Sequence, residues 1–308
     1  MLTETTSPLD TPADICAAIG HNQPPTFPPL PRYEPTPEIT ETIDHIQNLF
    51  KLRQNMIQAM TKLSLQAQSV LRMSVASEGD FADDDAKAAA RKRTEKLYGQ
   101  VVKDPGHPLF GLIEPYMFAA EPLEARRASY EKEMVRLVKT LPIYPWAKET
   151  KGLGDSGLAT VIGACGDIGT YKSVSAVWKR MGLAVMNGKR QGAPGEGATK
   201  DDWIAHGYNR RRRSVMWNVG NSLILGMGKF RPVYGEDVDA NPDYTYYQRV
   251  FAHRARYEAA RLPKKSGVAI EEAKTGKESY SAHAANRAKR YAEKRLLKYL
   301  YLEWRKAA

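Results

Sequence analysis

The string of residues with the most chemical potential is Gly152-Leu153-Gly154-Asp155-Ser156-Gly157, which spells G-x-G-x-x-G. A dinucleotide-binding fingerprint of that spacing must follow a buried strand and open the helix of a βαβ unit. Here it follows Tyr144-Pro145-Trp146-Ala147-Lys148-Glu149-Thr150, a proline-punctuated junction without strand character. A helix-hairpin-helix turn suits the string better. A Gly-apolar-Gly hairpin lets backbone approach a phosphate, and the N–H groups that open the next helix face it. Leu158, Val161, Ile162 and Cys165 then pack that helix inward. Such a turn grips backbone without reading sequence. A plain helix–helix turn built on the same glycines is the competing reading.

Two further clusters are basic. Arg210-Arg211-Arg212-Arg213 follows His206-Gly207-Tyr208-Asn209 at a predicted helix start, with Val215, Met216, Val219 and Leu223 on the apolar side. Arg210 and Arg213 share a face, and guanidinium forks suit phosphates. Four arginines at a helix N-terminus oppose the macrodipole unless an anion compensates. The last helix carries Arg287, Lys289, Arg290, Lys294, Arg295, Lys298, Arg305 and Lys306 beside a stripe of Ala285, Ala288, Ala292, Leu296 and Leu300. The stripe reads as core. Tyr291, Tyr299, Tyr301 and Trp304 are interleaved, available for stacking on a single strand. A calmodulin-target or membrane-surface helix has the same composition.

The expected contacts with DNA are therefore Gly152, Gly154, Ser156, Gly157, Lys172, Lys189, Arg190, Asn209, Arg210, Arg211, Arg213, Arg287, Arg290 and Lys294. Catalytic signals are sparse. The histidines show no ligand spacing, Asp83-Asp84-Asp85 reads as a helix start, and no G-x-S-x-G elbow or Walker loop occurs. Neither a metal nor a cofactor is expected.

The elements that must position these residues follow from composition. Residues 1–150 carry 17 Lys/Arg against 20 Asp/Glu, whereas residues 151–308 carry 29 against 15. A basic excess confined to one half points to a polyanionic partner. No apolar stretch is long enough to span a membrane, and the first residues lack a signal-peptide pattern. Cys16 and Cys165 are isolated, which fits a reducing cytoplasm, and the expected DNA partner adds association with the nucleoid. Residues 1–37 are proline-rich and predict a disordered tail. Residues 38–144 predict helices. Ile39, Ile43, Ile46, Phe50, Ile57 and Met60 form a heptad seam broken by Arg53. Leu123, Tyr130, Met134, Leu137 and Leu141 form a second, interrupted by Arg127. Asp83 to Lys103 is a helix between them, and Pro105, Pro108 and Pro115 mark a loop. The result is an antiparallel hairpin or coiled coil, internal or homo-oligomer-forming.

Residues 145–262 predict a small helical domain. Its helices are Asp155–Cys165, Ser173–Met181 with Ser173 as N-cap, Tyr208–Leu225 and Tyr244–Arg261. Leu183–Met186 and Trp203–Ala205 are candidates for a short β-hairpin around a glycine-rich loop. Residues 263–280 read as a linker and 281–308 as the basic terminal helix. The fold class is mainly α.

Positions 150–225 resemble the carboxy-terminal domain of the insertion-sequence family 110/116/902 transposases. The resemblance is carried by Lys151-Gly152-Leu153-Gly154, Gly166-Asp167-Ile168-Gly169, Tyr171-Lys172-Ser173, Gly182-Leu183 and the segment His206 to Arg213. It implies DNA as partner, with a structured RNA as a further one. Family members add a RuvC-like domain with four metal-binding acids and use a serine nucleophile. This chain lacks strand–helix alternation in residues 1–150, and Asn187-Gly188 stands where the family has Ser-Gly. An amide cannot be the nucleophile. The resemblance therefore implies a DNA-binding protein without its own chemistry. The alternatives are a recombinase with a displaced serine (Ser156, Ser173, Ser214 or Ser222) or partner-supplied acids, and an assembly adaptor using the coiled coil.

Overall fold

A computed structural model describes residues 33–186, 188–225, 238–261, 270–272, 278–280 and 282–307. Most of the expected disordered tail, most of the expected linker and Asn187 lie outside the described residues. The fold is mainly helical, as expected, and divides into two compact units, His45–Leu137 and the remainder. Among the described residues no helix is long and apolar enough to cross a membrane.

The His45–Leu137 unit uses most of α1 (Pro37–Val75), α2 (Asp84–Val101) and most of α3 (Phe110–Val138). Asp83 caps α2 by accepting from the Ala86 N–H, and Asp84 and Asp85 occupy its first turn. All three acids thus face the positive end of the helix dipole. Ala67 and Leu71 of α1, Val101 of α2 and Ile113 of α3 form one core cluster. Farther along, Arg53 of α1 donates to Glu131 of α3 at 2.6 Å. Those two contacts make α1 and α3 antiparallel. The two arginines that interrupt the heptad seams converge here, because Arg127 also donates to Glu131. The seam residues Ile46 and Phe50 are buried within a single chain.

Pro115 does not lie in the loop with Pro105 and Pro108; it is inside α3, as is Pro122. Both prolines are solvent-exposed, as are Gly111 and Phe118 four residues before them. Water can therefore reach the two carbonyls that lose their helical partners.

The second unit is built around α10 (Ala282–Ala307). Its Ala288, Ala292, Leu296 and Leu300 are buried, while Ala285 is half-exposed. The same unit holds α4 (Tyr144–Glu149), α5 (Gly154–Cys165), α6 (Val174–Arg180), α7 (Lys200–His206), α8 (Arg210–Leu225) and α9 (Tyr246–Arg261), of which α6, α8 and α9 pack against α10. Local chemistry sets most helix starts. The Ser173 hydroxyl accepts from the Ala176 N–H, and the Asn209 side chain accepts from the Arg212 N–H. Thr245 and Gln248 exchange bonds ahead of α9.

Two strand expectations are corrected. Val185–Met186 (β1) pairs with Lys189–Arg190 (β2), while Trp203–Ala205 lies in α7. The reason is the capping box Thr199–Asp202, in which each side chain accepts from the other's backbone N–H and starts a helix. Within the expected linker, Ile270–Glu272 (β3) pairs antiparallel with Glu278–Tyr280 (β4).

Residues ahead of α1 are tied to this unit. Trp304 of α10 donates to the Tyr33 hydroxyl at 3.0 Å, and Tyr33 donates to Asp167 at 2.9 Å. Burial, the largest influence, raises the Tyr33 phenol well above its ordinary value. It stays a neutral donor in this chain of bonds.

Candidate nucleic-acid interface

The glycine turn between α4 and α5 does less ligand-facing work than its spacing suggests. Gly152 has φ +88°, a left-handed conformation, and a Cβ there would lie 2.8 Å from the Leu223 Cα of α8. Its bare backbone seats the turn on the end of α8. Gly157 faces the Leu153 and Val219 side chains. Only Gly154 and Ser156 of the four expected contacts open to solvent. Asp155 occupies the first turn of α5 with Lys139 at 3.1 Å, and the Tyr144 hydroxyl donates to it. A carboxylate already sits where a phosphate would benefit from the helix dipole.

The arginine run divides by helical phase. Arg210 and Arg211 point outward, with the Arg210 guanidinium 5.8 Å from the Trp203 ring centre. Arg212 is half-buried; burial first, and then the Arg180 charge, lower its affinity for a proton. Arg213 turns inward, against the expectation that it shares an outward face with Arg210, and its Nη1 lies 2.9 Å from Glu293 of α10. The pair is close but poorly aligned, since neither Glu293 oxygen has a well-directed donor among the described residues. Lys172 and Arg190 are exposed; for Lys189 only the backbone, in β2, is described. Asn209 acts as the cap of α8 rather than as a free amide.

Glu293 is the centre of a buried polar knot. It is 0% exposed and lies against Gly220 of α8, where a Cβ would fall 2.6 Å from its Oε1. Burial pushes its carboxyl up to about 7 against the opposing pull of Arg213, Lys289 and Arg290. Lys289, also buried, donates to Asn221 at 2.9 Å, and desolvation lowers its ammonium's pKa. None of this is legible in the sequence, where Glu293 is one acid among lysines on a basic helix.

Along α10 the expected cations meet unusual partners. Arg287 donates to Glu258, which Arg254 of α9 also engages. Arg290 donates to the carbonyls of Gly182 and Ala184 at 3.2 and 3.3 Å. Burial, then Arg213 and Arg190, bring it down to about 10. The Lys294 ammonium lies 3.9 Å from the Trp178 ring centre, and the same indole donates to the Lys294 carbonyl. Its pKa is lowered by burial, then by Arg290 and Arg254. Arg295 donates to the Tyr291 hydroxyl at 2.7 Å and to Tyr299 at 3.3 Å. The structure thus joins Arg190, Arg290 and Lys294 to residues that were not among the expected contacts: Trp178 and Arg254. No periodicity within α6 or α9 could have flagged these, because each is defined by a neighbour on another helix.

Two of the candidate serines have local roles: Ser173 caps α6 and Ser214 donates to the Arg210 carbonyl; burial pushes the Cys165 thiol up to about 11. Among the described residues no three His, Cys, Asp or Glu side chains gather as a metal site requires. No family model, curated protein or solved structure matches the chain.

Proposed function

We propose that the second unit binds the phosphate backbone of nucleic acid, DNA foremost, as a binding protein without chemistry of its own. One observation supports this above the rest. For Arg212, Arg290 and Lys294 the charges that weigh most are those of other cations: Arg180; Arg213 and Arg190; and Arg290 and Arg254, respectively. Crowded like charges are unfavourable in the free protein, and a polyanion relieves them while releasing its counterions. Arg210 and Arg211, exposed at the start of α8, extend the same positive surface. The reading keeps only the DNA-engaging part of the transposase resemblance and rests on charge placement.

The test is fluorescence anisotropy of the full chain with labelled duplex DNA across a salt series. Log affinity should fall linearly with log salt, and Lys294→Gln or Arg211→Gln should each reduce the slope by about one. Affinity should fall by a similar factor on unrelated sequences. Absence of binding at low salt, or binding indifferent to salt, overturns the proposal.

A further inference from the structure

Resting on that reading, we infer that the surface holds backbone without stacking on bases, so that its ligand is the duplex and not the single strand. Among the described residues, several rings beside the basic side chains already carry a cation on one face. Lys289 lies directly over one face of the Trp217 ring, although Trp217 as a residue is still 40% exposed. Lys294 covers Trp178, and Arg210 lies over Trp203. Tyr291 is shared by the guanidiniums of Arg254 at 4.8 Å and Arg295 at 5.2 Å. Tyr299 has Lys298 at 5.6 Å and Tyr246 edge-on at 6.0 Å. Hydroxyls and indole are tied as well: Tyr246 donates to Tyr299, Arg295 to Tyr291, and Trp178 to the Lys294 backbone.

A base that stacks must first displace a cation from a ring, and so loses the phosphate contact that the cation would make. The same pairing works in favour of a backbone ligand. A ring under an ammonium restricts a long, flexible side chain to one position, which lowers the ordering entropy of binding. Arg290, Lys294 and Lys298 recur every four residues, about 6 Å apart along a rigid helix. In a duplex the bases are stacked on one another, so a surface of closed rings forgoes nothing there. A single strand on such a surface loses stacking that is otherwise worth roughly five- to a hundredfold per base.

The experiment compares three ligands of equal length with the full chain at low salt: a duplex, its single strand, and that strand carrying abasic sites. The duplex should bind tightest, the intact and abasic strands should agree within about twofold, and tryptophan emission should not be quenched by the single strand. Trp178→Leu should weaken all three ligands by one common factor, because the ring acts through its lysine. An intact strand that binds tenfold or more better than the abasic one, or a tryptophan variant whose loss is confined to the intact strand, overturns the inference and leaves backbone binding standing. If none of the three binds, the proposed function itself fails.

Discussion

Arg127 and Arg213 both sit on helices and both reach a glutamate, but they do so under different physics. Arg127 engages Glu124 and Glu131, three and four positions away on its own helix, with its side chain 25% exposed. Such local pairs form whenever the helix forms, and solvent screens them. Arg213 reaches Glu293 on a different helix, in a place where the carboxylate is fully buried. Both charges lost their water there, and the contact stabilises only relative to leaving either one alone. The contrast extends to the units around them. In the His45–Leu137 unit, Arg53, Arg93, Arg127 and Arg136 all meet carboxylates. In the second unit Arg290, Lys294 and Arg295 meet carbonyls, an indole and phenols. Arg213, Arg254 and Arg287 of the second unit also meet carboxylates, whereas among the described residues Arg290, Lys294 and Arg295 do not.

The largest expected effect is on Arg213. Arg213→Ala removes the cation nearest the buried Glu293 and should cost about 3–5 kcal/mol, while the double change Arg213→Met with Glu293→Leu should recover most of it. All five tryptophans, Trp146, Trp178, Trp203, Trp217 and Trp304, belong to the second unit, so urea unfolding followed by tryptophan emission reports on it selectively. A single variant within 1 kcal/mol of the parent would erase the distinction between the two arginines.

Next comes pH. Glu293 ionises near 4.5 when unfolded and at about 7 when folded. Between those values the unfolded chain has released a proton that the folded chain retains. Its contribution to stability is therefore complete below about pH 4.5 and lost as pH rises through 7, a fall of roughly 3 kcal/mol. Glu293→Gln should flatten that interval of the stability profile, and an unchanged slope in the variant would assign the dependence elsewhere.

Gly220→Ala should follow. In most helix interiors this change stabilises, but here the new methyl meets the Glu293 carboxylate, and overpacking of this kind costs ~1–3 kcal/mol. Shortening the acid, in the double variant Gly220→Ala with Glu293→Ala, should reverse the loss; a stabilised Gly220→Ala would mean that the knot yields easily. The smallest effect is expected in the other unit. Arg136 pairs with Glu133 at the exposed surface, so Arg136→Ala should leave the far-UV circular dichroism melting curve unmoved. A clear shift there would show that the local pairs carry more than their geometry implies.

Helix starts were readable because their signals span three or four residues. Asp83 and Ser173 each cap the helix that follows, whereas Asn209, expected on a phosphate, is revealed as the cap of α8 only by the structure. The basic bias of α10 and its buried Ala288–Ala292–Leu296–Leu300 stripe were equally plain. The candidate site was legible only in outline. Arg210, Arg211, Lys172 and Arg190 are exposed as their composition suggests, whereas Arg213 and Gly152 are turned to internal use. The strand expectation at Trp203–Ala205 failed where a capping box, itself local, outweighed a short apolar run.

By itself the sequence determined where helices begin, which stripes are apolar and in which half the positive charge accumulates, since all three depend on near neighbours and on counting. Tertiary structure alone decided which cations stay available. Whether an arginine finds a carboxylate, a ring or open solvent depends on what α8, α9 and α10 bring beside it, and those partners lie far away along the chain. Glu293 shows the reason most plainly. Its meaning comes from a glycine on a neighbouring helix that leaves room for it, and from the loss of water that burial imposes.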